Sequence, residues 1–356
     1  MQFVRLVVDD LRCFQHLDVV LQPGINVFVG GNGAGKTSLL EAAHLLSHGR
    51  SFRAGAAEAL LRRGATGWTV HAEVRHTSGQ VQSLGLTRNN DGWQARVDGQ
   101  TVATLAAMIE HCAVICFEPG SHALITGPAE ERRRFIDWGV FHVEHEFQPI
   151  WRRYRRALRQ RNALLRIAAA DVDLAPWEQE LALRGEQLDA LRQRYLGSLE
   201  PLLAALCDVL LPELGTPVLL YRRGWSAAES LAAALRGSRQ SDRALGHTRP
   251  GPHRADWSLT YAAAPARALL SRGQTKLSAL ACLLSQAELH NRRSGDAAVL
   301  CMDDLASELD SSHLDAVVDR LQRIAGQILI TGTANTPALT DGTTRFHVEH
   351  GTVRRL

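Results

Sequence analysis

Ile25-Asn26-Val27-Phe28-Val29 runs without a break into Gly30-Gly31-Asn32-Gly33-Ala34-Gly35-Lys36-Thr37, and Ser38 to His48 follows with apolar residues at helical spacing before Gly49. An apolar strand, a glycine-rich loop and a helix, in that order, are the setting that a Gly-x-x-x-x-Gly-Lys-Thr phosphate loop requires. The glycines reach backbone conformations that turn successive N–H groups inward, and the positive end of the next helix adds its field. Gly30, Gly31, Asn32, Gly33, Ala34, Gly35 and Ser38 thus read as a phosphate cradle. Lys36 would reach the β- and γ-phosphates of ATP and Thr37 would ligate Mg²⁺. Of 40 basic residues only Lys36 and Lys276 are lysine. A chain that uses arginine almost everywhere keeps a compact ammonium where a guanidinium fork would not fit; a merely structural glycine turn leaves that choice unexplained.

Outward from the loop, Ala297-Ala298-Val299-Leu300-Cys301-Met302-Asp303-Asp304 is an apolar strand ending in two acids, the Walker B pattern. Asp303 is expected in the Mg²⁺ shell, and Asp304 beside the metal to orient or deprotonate water. Ser271-Arg272-Gly273-Gln274 opens a helix about thirty residues earlier, offering a hydroxyl, N–H groups and a helix dipole to an anion. That order is the ATP-binding-cassette arrangement, in which the Ser271, Gly273 and Gln274 signature completes a partner's nucleotide site in a head-to-tail dimer. Ser307 to Asp310 matches the D-loop. Thr331-Gly332-Thr333 occupies the place of the switch histidine, and no glutamine can be assigned to a Q-loop.

Short strand patterns dominate the first 118 residues, including a β-meander over 68–103, and strands alternate with helices near the C-terminus. Between them, residues from about 129 to 236 carry helical patterns with almost no strand signal. One of these helices is expected to span about 40 Å. The predicted fold is α/β: an ABC-type P-loop ATPase head with an antiparallel β subdomain, built from 1–118 and 245–356, and an inserted helical, Arg-rich lobe over 119–244.

Composition removes other classes. With 45% hydrophobic and 22% charged residues in 356, the chain is neither disordered nor fibrous, and a net charge of +3 names no partner by itself. Arg5, Asp9, Asp10 and Arg12 leave no room for a secretory apolar core at the N-terminus, and no apolar run approaches the ~18 residues of a membrane span. Six scattered cysteines without a C-x-x-C pair fit a reduced, cytoplasmic protein without structural metal.

The chain resembles the RecF family of bacterial recombination and gap-repair ATPases, related to the SMC proteins, along nearly its whole length. The resemblance is carried by Leu39-Leu40-Glu41-Ala42, Gly49-Arg50-Ser51-Phe52-Arg53, Gly127 to Asp137, Arg159-Gln160-Arg161-Asn162-Ala163-Leu164-Leu165, Gly251-Pro252-His253-Arg254, the Ser271 signature and the Asp303-Asp304 strand end. Ala255 and Cys13-Phe14 depart from the family pattern. The resemblance implies ATP binding, an ATP-dependent homodimer, and binding of single- and double-stranded DNA at gaps or junctions. It further implies work with RecO and RecR, help in loading RecA, a part in replication restart and SOS induction, and nucleotide contacts from Arg12 and Arg53.

For DNA the candidate surface lies in residues 131 to 166, which hold ten arginines against four acids. Arg152, Arg155, Arg156 and Arg159 share one flank of a helix whose adjoining face carries Trp151, Tyr154, Leu158 and Leu165, a geometry for structure-specific phosphate contacts. Arg222-Arg223 and Arg292-Arg293 are weaker candidates. Because Asp304 is a methylene shorter than the glutamate usual in transport ATPases, a slow ATPase used as a switch is expected. The alternative class is the ATPase subunit of a membrane transporter, which shares the cassette motifs.

Overall fold

The computed structural model describes residues 1–53, 57–309, 311–332 and 342–356. The first segment holds strands β1 (Gln2–Leu11), β2 (Phe14–Val20) and β3 (Gly24–Val29), helix α1 (Lys36–His48), strands β4 (Trp68–Arg75), β5 (Val81–Asn89), β6 (Gly92–Val97) and β7 (Gln100–Val102), helix α2 (Leu105–Ile109) and strand β8 (Val114–Phe117). Helices α3 (Ala123–Thr126), α4 (Ala129–Val143), α5 (Phe147–Arg166) and α6 (Asp171–Leu210) come next, then β9 (Pro217–Arg222), α7 (Leu231–Gly237), α8 (Arg239–Leu245) and β10 (Asp256–Tyr261). The chain ends with α9 (Arg272–Ser294), β11 (Val299–Met302), α10 (Leu305–Glu308), α11 (Ser311–Ile324), β12 (Gln327–Gly332), β13 (Thr344–Glu349) and β14 (Thr352–Arg355).

Two units emerge, one of Met1–His122 with Arg272–Leu356 and one of Ala123–Ser271. In the first, six strands form an antiparallel sheet in the order β2-β1-β4-β5-β6-β7, and six form a second sheet in the order β14-β13-β3-β12-β11-β8. In the second sheet β13, β3, β12, β11 and β8 run parallel, with only β14 antiparallel at the edge. Parallel strands are buried on both faces, which is why β11 and the Ile328–Ile330 centre of β12 read as apolar runs. Helix α1 touches strands of both sheets and buries residues all around its circumference, so it shows little amphipathic signal. The tips of parallel strands are where ligands bind in such sheets, and both β3 and β11 end there with chemistry-bearing residues.

The second unit differs from expectation in three ways. Residues 245–271, expected with the ATPase domain, fall here, because β10 pairs antiparallel with β9 from Asp256↔Arg222 to Tyr261↔Pro217. Strand β9 itself lies in a stretch expected to be helical. And α6 has 40 residues, about 60 Å at 1.5 Å per residue, since neither Pro176 nor Pro201 ends it. Buried ion pairs frame the unit. Arg161, wholly buried, donates to Glu178, Asp242, Thr248 and the Leu235 carbonyl. Arg132 grips Asp256 at 2.7 and 3.1 Å, and Arg192 grips Asp137 at 2.8 and 3.0 Å.

Candidate nucleotide site

Strand β3 delivers the chain into the loop with Gly30 pressed on the edge of β13. A Cβ at Gly30 would stand 2.1 Å from the Val348 carbonyl oxygen, so no larger residue fits. Gly33 and Gly35 take φ of 77° and 117°, the left-handed region that glycine enters without strain. A Cβ at Gly35 would also meet the Cys13 sulfur at 2.8 Å. The tight turn between β1 and β2, Arg12-Cys13, therefore seats against the loop.

Lys36 folds back so that its ammonium donates to the carbonyls of Gly30 (2.8 Å) and Gly31 (2.9 Å). The Thr37 hydroxyl donates to Asp303 Oδ1 at 2.9 Å, joining the loop to the end of β11. Thr331 at the end of β12 donates its hydroxyl to the same oxygen at 2.7 Å and accepts the Asp304 N–H at 2.9 Å. Asp304 itself has φ 53°, and its Oδ1 is buried without a hydrogen-bond partner among the described residues. A hydroxyl beside carboxylates, one oxygen of them unpartnered, is a hard-oxygen donor set that fits Mg²⁺, whose other positions fall to phosphate and water. Asn32 to Ser38, Asp303, Asp304 and Thr331 line a single cavity of about 560 Å³.

The mouth of that cavity is basic, with Arg12, Arg53 and Arg63 on its wall. Arg12, expected as a nucleotide contact, is already engaged: it grips the buried Glu41 at 2.7 and 2.8 Å and donates to the Ala59 carbonyl. Arg53 lies 3.8 Å from Glu41, and the Ser51 hydroxyl also donates to it. Sequence reasoning missed Glu41 as the anchor of this wall, although it belongs to the Leu39-Leu40-Glu41-Ala42 stretch that carries the family resemblance. It also missed Glu118, which follows β8 and lies beside Asp303 because Phe117 pairs with Met302. Burial pushes the Glu118 carboxyl up from its ordinary value, with Asp303 and Glu308 adding to the rise. A strand ending in an acid was the signal.

Of the signature, Gly273 and Gln274 occupy the first turn of α9, and Ser271 directly precedes it as the last residue of the second unit. None of the three is among the residues that line the cavity. Ser307 stands in α10, its N–H bonded to the Asp304 carbonyl; Asp310 and Thr333 lie outside the described residues. On α5, Arg152, Arg155, Arg156 and Arg159 are exposed, while Tyr154 and Leu165 are buried, as the spacing predicts. Arg155, Arg156 and Arg159 form no ion pair among the described residues, whereas Arg153 is bound to Glu180. The local charge excess is smaller than the count of ten against four implies, since Arg132 and Arg161 are consumed in buried pairs and Arg134 by Glu130 and Glu131. No helix among the described residues is long and apolar enough to cross a membrane.

A parallel sheet whose strand tips carry a phosphate loop and a paired-acid strand, flanked by an antiparallel sheet, defines an ABC-type P-loop ATPase head. The family model described as RecF/RecN/SMC N terminal domain matches residues 2–352. The DNA replication and repair protein RecF of Xanthomonas axonopodis pv. citri (strain 306) is 46% identical over 363 residues, 100% of this chain and 99% of the relative. RecF of Azotobacter vinelandii (strain DJ / ATCC BAA-1303) is 40% identical over 361 residues, covering 99% and 98%. Among solved structures, the recombination mediator protein RecF-ATP in the RecFOR pathway matches with TM-score 0.91 at 24% identity over 99% of this chain and 97% of that one. An SmcHead bound to the C-winged helix domain of ScpA matches with TM-score 0.60 at 13% identity, covering 100% and 98%. The chain belongs to the RecF/RecN/SMC family and, within it, to RecF.

Proposed function

We propose that this chain is an ATP-dependent DNA-binding protein of recombinational gap repair and replication restart. ATP would lie along Asn32 to Ser38, with Lys36 moving from the Gly30 and Gly31 carbonyls, 2.8 and 2.9 Å away, onto the β- and γ-phosphates. Mg²⁺ held by Thr37 and Asp303 would neutralise charge developing on the phosphates. Asp304 orients the attacking water, and its short side chain makes turnover slow. The observation that carries the reading is the Thr37–Asp303 contact at 2.9 Å in a cavity that no signature residue enters. The cis half of a nucleotide site is assembled, and the Ser271-Gly273-Gln274 turn is left to a second copy. Nucleotide shared across two copies makes association depend on ATP.

The dimer would present the Arg152, Arg155, Arg156 and Arg159 flank to DNA phosphates, recognising gapped DNA or duplex–single-strand junctions by structure rather than sequence. RecO and RecR are the partners, RecA loading and SOS induction the downstream events, and the cytoplasm the location. ATP hydrolysis measured with and without DNA, in wild type and Lys36→Met, tests the reading. DNA-stimulated turnover abolished by Lys36→Met is expected. Sizing of Asp304→Asn with ATP should show an accumulated dimer; a monomer throughout would refute the switch.

A further inference from the structure

A second concavity, about 960 Å³, lies within the Ala123–Ser271 unit and has no part in the nucleotide site. Gln193, Leu196, Gly197 and Glu200 of α6 form one side, at helical spacing. The end of β9 and the Arg223-Gly224-Trp225 turn form the other, with Arg254 on the rim. Gly224 has φ 95°, and a Cβ there would stand 2.3 Å from the Gly251 carbonyl oxygen, so the turn that holds Trp225 is fixed by glycine. Arg223 donates to the Glu229 carbonyl at 3.0 Å, and its guanidinium lies 4.2 Å from the Trp225 ring centroid. The Trp225 indole N–H, a donor only, is buried without an acceptor among the described residues.

The groove holds Arg222, Arg223 and Arg254 against Glu200 and Asp256, a small positive excess. Arg222 is exposed and 3.5 Å from Asp256, but that carboxylate is already gripped by Arg132 at 2.7 Å. Arg254 is exposed and has no carboxylate partner among the described residues. On the α6 side Gly197 presents bare backbone, with nothing within 4 Å of where its Cβ would stand, which leaves room for a flat group. An aromatic–guanidinium stack and two available arginines call for a ligand with planar rings and negative charge. Unpaired nucleic acid has both.

We propose that this groove binds a short run of single-stranded DNA, with a base stacked on the Trp225–Arg223 pair and phosphates held by Arg222 and Arg254. The inference rests on the DNA-binding reading and deepens it: the α5 flank serves duplex, and the groove takes an unpaired strand. An acidic peptide would use the arginines but gain nothing from the stack.

The test uses the full-length protein, a fluorescent dT₁₅ oligonucleotide, a 15-base-pair duplex and poly-glutamate. Trp225→Leu should weaken dT₁₅ about tenfold, within the range for loss of one stacked base. Arg254→Glu should do likewise and flatten the salt slope by about 0.7 for each phosphate it no longer neutralises. Duplex affinity should stay within about twofold, because the α5 arginines are untouched. In unaltered protein, a 5-iododeoxyuridine strand should photo-crosslink to Trp225, a readout that needs no variant to fold. Unchanged dT₁₅ affinity in both variants, or crosslinks that map elsewhere, would overturn the proposal. So would poly-glutamate binding lost in Arg254→Glu with dT₁₅ binding intact, which would make the groove a peptide site. Wild type that binds neither oligonucleotide nor duplex would instead sink the DNA reading itself.

Discussion

Replacing Thr331 by valine asks whether the acids at the end of β11 are held from the neighbouring strand. The residue is 1% exposed, and valine keeps its shape while removing the hydroxyl. Two hydrogen bonds go: the donation to Asp303 Oδ1 at 2.7 Å and the acceptance of the Asp304 N–H at 2.9 Å. The first is made to a charged group, worth about 1.5–3 kcal/mol, and the second leaves a half-buried amide unpaired. Asp303 keeps its bond from Thr37 at 2.9 Å, so the carboxylate turns rather than leaving the site. That partial support brings the expected loss to about 2 kcal/mol, a roughly thirtyfold fall in kcat/KM for Mg²⁺-dependent ATP hydrolysis. ATP binding in EDTA, which depends on Lys36 and the loop amides, should stay within about threefold. Thr331→Ser should recover most of the turnover. Phosphate release across a Mg²⁺ titration, paired with nucleotide binding in EDTA, reads both quantities. Turnover within about twofold of wild type, or both quantities falling together, would refute the positioning role.

The other predictions concern stability. Arg161→Met leaves Asp242 and Glu178 buried and short of their shared cation, and should cost about 3 kcal/mol, the low end for a broken buried pair, because Arg239 still holds Glu178 and Ser238 still holds Asp242. Thermal unfolding of the Ala123–Ser271 unit should come about 6–12 °C earlier, with ATP binding at 25 °C retained; an unmoved transition would show the network to be idle. Burial pushes His253 down to about 4, and it stays neutral when folded, its ring bonded to Tyr154 at 2.6 Å and to the Thr248 carbonyl at 3.0 Å. The unfolded chain binds that proton near pH 6.5, so the stability is complete above 6.5 and is lost as pH falls toward 4. Between pH 7 and 5 the advantage of wild type over His253→Asn in urea unfolding should shrink by about 2 kcal/mol, and a constant difference would contradict it.

What the sequence exposes is what is local. A phosphate loop is a backbone device, and its glycine spacing, its strand and its helix are adjacent in the chain, so the site from Gly30 to Thr37 is readable before any folding. The paired acids are readable for the same reason. Pairings across long separations are not. Arg132 and Asp256 are 124 residues apart, Arg161 and Asp242 81 apart, and by residue type alone these arginines look like the exposed ones on α5. Strand β9 hides because it pairs only with β10, forming a two-stranded ribbon with half its residues exposed, which blurs both periodicities. The Arg159-Gln160-Arg161-Asn162 stretch, a feature of the family, proves to be structural at two of its positions. Arg161 is the buried hub, and Asn162 accepts both the N–H and the hydroxyl of Thr248.

The scarcity of lysine acquires a second meaning from the structure. Lys36 faces the loop carbonyls, and Lys276, one turn into α9, makes an ion pair with Glu308 at 2.5 Å. Glu308 closes α10, the short helix that Asp304 caps, and the Glu308 side chain is only 13% exposed. The helix that opens with Gly273 and Gln274 is thus fastened to the segment carrying the acid that would orient water. At both places a single ammonium meets oxygen atoms, backbone carbonyls at Lys36 and a carboxylate at Lys276. The guanidinium that serves this chain on α5 and around the lobe groove offers a planar fork of donors instead of that point charge. The two lysines among 40 basic residues thus stand at two contacts made by a single compact ammonium. One lies at the phosphate loop, and the other lies where the signature helix is tied to the Walker B end.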